Sequence, residues 1–267
     1  MESFTLGPLA FSTRLMLLVG VAIAVFMLAS RLGRKAGIEV EKPLWIILLA
    51  GLLAGRIPFV AVYRDMYLAA PWSIFDLRDG GFNAVTGVAG ALVTAFILTR
   101  YVPRLRKPLF VSLAAGAFLW GAGTAILDID TRAQGLPRVA LSTLDGRTVQ
   151  LEALGGKPMV INLWATWCPP CRREMPVLRD AQSANPDIVF VFANQAESAA
   201  IVKRYLDEEK MVLENVLLDP QGALAREVGS VATPTTLFFN KQGRHVDTRV
   251  GEVSAATLAQ RLRSLRE

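Results

Sequence analysis

The chain has 267 residues, of which 52% are hydrophobic and 19% charged, and a mean hydropathy of +0.38. That is too apolar for an ordinary soluble protein, and it excludes disorder, a collagen-like repeat and a disulfide-rich scaffold. With two cysteines, Cys168 and Cys171, and one histidine, His245, the composition argues against a disulfide network, a His-rich metal centre and a Ser-His-Asp triad.

The net charge of +6 is unevenly placed. Residues 1–127 hold 12 of the 29 Lys and Arg and 6 of the 23 Asp and Glu, so the excess lies there and residues 128–267 balance at zero. A basic chain often binds nucleic acid. Here the basic excess coincides with the apolar half, so it is read as membrane topology and no nucleic-acid partner is expected.

Four apolar runs occupy that half, at about residues 15–30, 43–63, 82–99 and 108–127. Each approaches the ~20 residues a helix needs to cross the hydrocarbon core. None carries the polar stripe of a buried soluble helix. The loops after runs one (RLGRKAGIEVEK) and three (RYVPRLRK) each hold four basic residues. Basic loops stay on the cytoplasmic side, which sends both termini and everything after about residue 128 outward. A cleaved signal peptide carries its charges ahead of the apolar run. Here they follow it, so run one is expected to remain a helix. Arg56, inside run two, reads either as a contact to a lipid headgroup or partner carboxylate or as a side chain snorkelling to the outer interface. Glycines 51, 55, 87, 90, 116, 121 and 123 permit close helix packing, so a compact four-helix bundle is expected.

This half resembles the first part of prolipoprotein diacylglyceryl transferase. The matching stretches are LAGRIPFVAVY (53–63), the Pro71–Trp72 loop and DGGFNAVTGVAG (79–90), and the resemblance spans about residues 5–127. The chain departs from that family where a His-Gly pair should follow: Val85 or Thr86 stands at the histidine position. The family's Gly-Arg-x-x-Asn-x-x-Asn-x-Glu segment has no counterpart. The resemblance thus implies an inherited scaffold contacting the bilayer, with residual diacylglyceryl transfer, or lipid or partner binding, as an alternative of another class.

Residues 131–137 (TRAQGLP) read as a linker between a membrane domain (1–130) and an outward domain (138–267). LSTLDGRTVQL reads as a hairpin turning at Asp145-Gly146. MVINLW (159–164) is a buried central strand. It runs into ATWCPPCRREMPVL, which places Cys168 where a helix begins. Helix N-termini offer free N–H groups and positive partial charge, which stabilise a thiolate. Pro169 and Pro170 suit a first helical turn. Cys171 lies one turn on, within reach of a mixed disulfide at Cys168. The alternative for a CxxC is half of a zinc site, but only His245 remains as a further soft ligand, so no metal is expected.

The remainder alternates in type: a strand over 187–194, a helix over 197–210, a strand over 214–218, a short helix over 220–228, a hairpin of 235–240 and 243–250, and a helix capped by Ser254 to about residue 266. Parallel strands with crossover helices and a closing hairpin give a three-layer α/β sheet. His245 is expected at an exposed or edge-strand position with no role. Pro176 is expected to kink the helix that carries the cysteines.

Residues 138–267 resemble the membrane-tethered TlpA/ResA-like group of the thioredoxin superfamily. GKP (156–158) followed by VINLWATWCPPCRREMP, and VATPTTLFF (231–239), carry the resemblance. It implies a thioredoxin-like fold with a redox-active Cys168–Cys171 disulfide and a cis Thr233–Pro234 peptide facing it. Glu174 stands at the group's acidic position, where it would tune the thiols and accept a proton from Cys171; a solvated helix glutamate is the alternative. Asn162 replaces the buried Asp of thioredoxin. Trp164, Trp167, Thr233 and Pro234 would form the substrate face, with core packing as the alternative for Trp164. The group implies a bacterial inner-membrane protein that reduces oxidised periplasmic protein thiols, including apocytochrome c cysteines, without a cofactor. No cysteine lies in residues 1–127, so electrons would come from a separate DsbD/CcdA-type membrane donor. An oxidase or isomerase using the same cysteines remains open.

Overall fold

A computed structural model of the chain describes residues 3–6, 9–68, 71–75, 80–132, 135–230 and 232–266. Asp76, Arg78 and Asp79 of the outward loop, residues 133 and 134 of the linker and Val231 of the second signature lie outside the described residues. The chain divides into two compact units: Arg14–Ile126, and Leu127–Glu267 together with Met1–Thr13.

The first unit is built from long helices: α1 (Thr13–Lys35), α2 (Glu41–Val62), the short α3 (Arg64–Leu68), α4 (Ala84–Tyr101) and α5 (Arg106–Arg132). Four of these helical stretches are long and apolar enough to cross a membrane, so the chain is a multi-pass membrane protein. Ahead of α1 stand two antiparallel strands, β1 (Ser3–Leu6) and β2 (Leu9–Ser12), which form their own two-stranded sheet. The packing of α2 on α4 depends on missing side chains. A Cβ on Gly51 would lie 3.2 Å from the Gly87 carbonyl oxygen, and one on Gly90 would lie 2.4 Å from the Ala54 Cβ. Asn83 caps α4, accepting from the Thr86 N–H at 3.1 Å.

Arg56 makes contacts that neither expectation named. Its guanidinium is 6% exposed and folds against the loop that follows α3. It donates to the carbonyls of Ser73 (3.2 Å), Ile74 (3.0 Å) and Gly81 (2.7 Å) and lies over the rings of Tyr67 and Phe82. The charge therefore organises a 3-10 turn at Pro71–Phe75, which hydropathy alone does not reveal.

The second unit holds a seven-stranded sheet. Its strands are β3 (Ala140–Thr143), β4 (Thr148–Gln150), β5 (Met159–Trp164), β6 (Val189–Gln195), β7 (Val216–Asp219), β8 (Thr235–Phe239) and β9 (His245–Val250), in spatial order β4-β3-β7-β6-β5-β8-β9. The pairs β5–β6 and β6–β7 are parallel, and the others are antiparallel. Every residue of β5 is buried, and the period of two splits them between faces. Val160 and Trp164 join the core under α6 (Pro169–Ala184), α7 (Ala199–Glu208) and α9 (Ala255–Ser264). Met159, Ile161 and Leu163 join the opposite core, with Leu224 of α8 (Ala223–Glu227). Helices thus cover both faces, giving the expected α/β thioredoxin-like layers.

One local expectation is corrected. The helix expected from residue 197 begins at Ala199, with Ser198 at its N-cap position, so Glu197 lies ahead of it. His245 does lie on the edge strand β9, but its ring is buried against Phe239, with Nε2 2.8 Å from Thr248 Oγ1. The helix α6 runs on through Pro176.

Candidate functional site

Strand β5 ends at Trp164, whose register partner on β6 is Asn194. The chain then leaves the sheet and turns into α6 within four residues. Cys168 is the N-cap residue, in extended geometry, and its Sγ accepts from the Cys171 N–H at 3.3 Å. The prolines at the first turn lack only N–H groups that a helix leaves unpaired. Cys168 and Cys171 are joined by a disulfide with Cα atoms 5.3 Å apart, and both residues are almost wholly buried.

The buried face of α6 reads Cys171, Glu174, Met175 and Leu178. That is helical i, i+3, i+4, i+7 spacing, so Glu174 is carried into the core by the same geometry that buries its apolar neighbours. It is 0% exposed, which overturns the solvated-helix alternative. Its Oε1 accepts from Asn162 Nδ2 at 2.8 Å and its Oε2 from the Val253 N–H at 2.9 Å. Burial pushes its carboxyl up to about 8, although both hydrogen bonds pull the other way. In the oxidised protein Glu174 therefore holds its proton at neutral pH. Asn162 also donates to Thr236 Oγ1 at 3.0 Å, while its own Oδ1 is buried without a partner among the described residues. Neither Asn162 as a bridge nor Thr236 as its second anchor was visible in the sequence. The period-two pattern of β5 could have signalled the first, since it points Asn162 to the same side as Val160 and Trp164.

The remaining residues of the expected site separate into three groups. Thr233–Pro234 is a cis peptide. It stands immediately before β8, whose Thr235 pairs with Leu163, so it lies at the sheet end from which the Cys168 loop departs. Trp167 is 66% exposed and free to meet a partner. Trp164 is a correction: it is 0% exposed and stacks obliquely on Tyr205, with centroids 5.5 Å apart, so it belongs to the core and presents no substrate face. A further carboxylate, missed in the sequence, touches the loop: Glu197 accepts from the Thr166 backbone N–H at 2.7 Å and from Thr166 Oγ1 at 2.5 Å. An acid three residues past a strand-ending Asn is the cue that could have found it. Among the described residues, no group of three or more His, Cys, Asp or Glu could hold a metal ion.

The chain is similar to known proteins over both of its units. The Redoxin family matches residues 131–262. The thioredoxin-like protein YneN of Bacillus subtilis (strain 168) is 31% identical, over 48% of this chain and 77% of its own length. The chain belongs to the thioredoxin-like family. Sporulation thiol-disulfide oxidoreductase A of the same strain is 24% identical over 62% of this chain and 96% of its own. Among solved structures, MTB dsbF is 27% identical, covering 48% of this chain and 95% of that one, with a TM-score of 0.44. Residues 3–126 match the prolipoprotein diacylglyceryl transferase family. A thioredoxin-like redox domain is thus fused to a membrane region similar to that transferase. With its Cys-x-x-Cys pair in this fold, this thioredoxin-like protein is a thiol-disulfide oxidoreductase.

Proposed function

We propose that the protein is a bacterial inner-membrane reductase of oxidised periplasmic protein thiols, with residues 138–267 and both termini in the periplasm. The observation that carries this reading is the Cys168–Cys171 disulfide at the head of α6, one turn ahead of a buried Glu174 that keeps its proton at neutral pH. In the reduced protein, the Cys168 thiolate attacks a client disulfide. One client sulfur bonds to Cys168, and the other leaves as a thiolate and takes a proton. Cys171 then returns to Glu174 the proton it took from that carboxyl on the previous reduction, and attacks Cys168 Sγ. The client's second sulfur leaves as a thiolate, and the protein disulfide re-forms. Two electrons have passed to the client, whose two thiolates take their protons from solvent, while the proton of Cys171 stays on Glu174.

On re-reduction the order reverses. The sulfur of Cys171 leaves the disulfide as a thiolate and takes the proton that Glu174 holds. Cys171 and Glu174 lie three residues apart on one face of the helix, which suits direct transfer. The membrane region has no cysteine, so it relays no electrons through thiols. A separate membrane donor of the DsbD/CcdA type supplies them. The basic loops after α1 and before α5 support the orientation, and exposed Trp167 with half-buried Thr233, beside the buried Pro234, supplies the client face.

The test is the equilibrium of the Cys168–Cys171 pair in glutathione redox buffers, measured on the full-length protein in detergent micelles. A reductase is expected to have a potential below about −230 mV, more reducing than that of the oxidant DsbA by ~100 mV or more. A potential near about −120 mV would identify an oxidase.

A further inference from the structure

The sheet stops holding the chain at the Trp164–Asn194 pair, yet Cys168 must reach the cap of α6 in a fixed pose. Between them, Thr166 is gripped at two points by one side chain. Glu197 Oε2 accepts from the Thr166 backbone N–H and Oε1 accepts from its hydroxyl. Oε2 also accepts from Asn194 Nδ2 at 2.7 Å, which ties the grip to the β6 partner of Trp164. Glu197 is 8% exposed. Its approach is set by Ala196, a non-glycine residue at φ +60° whose N–H donates to the Asp219 carbonyl at 3.1 Å. Left-handed backbone at a residue with a Cβ is uncommon and persists where its surroundings hold it. Here it turns the chain after β6 so that Glu197 faces the loop and not the helix that follows.

We propose that Glu197 is a positioning residue for thiol exchange, holding Thr166 so that exposed Trp167 and the capping Cys168 keep one arrangement at the head of α6. The inference rests on the oxidoreductase reading above and adds to it a carboxylate from outside the cysteine helix. It acts by hydrogen bonding, so the chemistry of substitution separates its role from that of charge. In Glu197→Gln the amide oxygen can take both N–H donors, while the amide nitrogen donates to the Thr166 hydroxyl. In Glu197→Ala all three contacts are lost.

The experiment uses the full-length protein in detergent micelles with three readouts: catalysed reduction of insulin disulfides, the pH midpoint of Cys168 alkylation in the reduced protein, and hydrogen exchange of the segment 165–168. Glu197→Ala is expected to slow insulin reduction about tenfold. It should raise the alkylation midpoint by about one pH unit, because the thiolate loses its fixed place at the helix cap, and speed amide exchange in that segment alone. Glu197→Gln is expected to restore all three. Thr166→Val, which removes only the hydroxyl contact, should shift them in the same direction by less, and it serves if Glu197→Ala fails to fold. Wild-type values in Glu197→Ala, or in Thr166→Val where it must serve, would overturn the proposal. So would Glu197→Gln behaving as Glu197→Ala. If the wild-type protein reduces no insulin, the reductase reading falls, and the alkylation midpoint and amide exchange still judge the clamp.

Discussion

Glu174 couples the stability of the redox unit to pH. Its carboxyl is raised from 4.5 to about 8, chiefly by burial. Between those values the folded protein binds a proton that the unfolded chain has released, so stability falls as pH rises through that window. Glu174→Gln removes the ionisation. It should make the oxidised protein more stable at pH 8, by on the order of 4 kcal/mol, with little gain at pH 4.5. Rotation of the Asn162 amide would let its now unpartnered Oδ1 accept from the new glutamine. Urea unfolding at the two pH values measures this, and an equal effect at both would refute the coupling. The same substitution should slow exchange and flatten its pH dependence, since Cys171 loses its proton partner. Trp167 acts at the surface: Trp167→Ala should slow reduction of a protein disulfide severalfold and leave reaction with dithiothreitol near the wild-type rate. Of these residues, the cysteines were legible from their spacing and flanking prolines. The burial of Glu174 was open in the sequence, because a glutamate on a helix is ordinarily solvated. Trp164 illustrates the converse: an aromatic beside an active-site motif is as readily core as surface, and only its stack on Tyr205 decides.

At the scale of elements, the close pairing of α2 and α4 depends on glycine at four positions. Gly90→Ala would set a Cβ 2.4 Å from that of Ala54, so the helices must part, at a cost of about 1–3 kcal/mol. Thermal unfolding in detergent should show a lowered transition for Gly90→Ala and little change for Gly121→Ala, where nothing lies within 4 Å of the added carbon. Strand and helix types were legible from periodicity along most of the chain, and β5 matches its expected span residue for residue. What escaped were features set by tertiary contact. Helix α3 and the Pro71–Phe75 turn carry no strong period, and Arg56, reaching from α2 to the carbonyls of Ser73, Ile74 and Gly81, fixes that loop. The start of α7 falls two residues later than expected, because the left-handed Ala196 turns Glu197 away from the helix and onto Thr166.

At the scale of the whole molecule, a four-helix membrane region without cysteine is joined to a thioredoxin-like unit that carries the Cys168–Cys171 pair. Cysteines introduced singly at Gly37, Val102 and Gln242, in a chain with Cys168 and Cys171 replaced by serine, test the orientation. A membrane-impermeant thiol reagent applied to intact cells freed of their outer barrier should label position 242 alone. The most direct test of the central claim is the redox state of Cys168 and Cys171 in growing cells, fixed by acid and read by thiol alkylation of the full-length protein. On the proposed orientation the redox unit faces a periplasm that is kept oxidising, so a pair supplied with electrons across the membrane should be found mostly reduced, and should become oxidised when the proposed membrane donor is deleted. A pair that is mostly oxidised whether or not the donor is present would contradict the account and make the protein an oxidase.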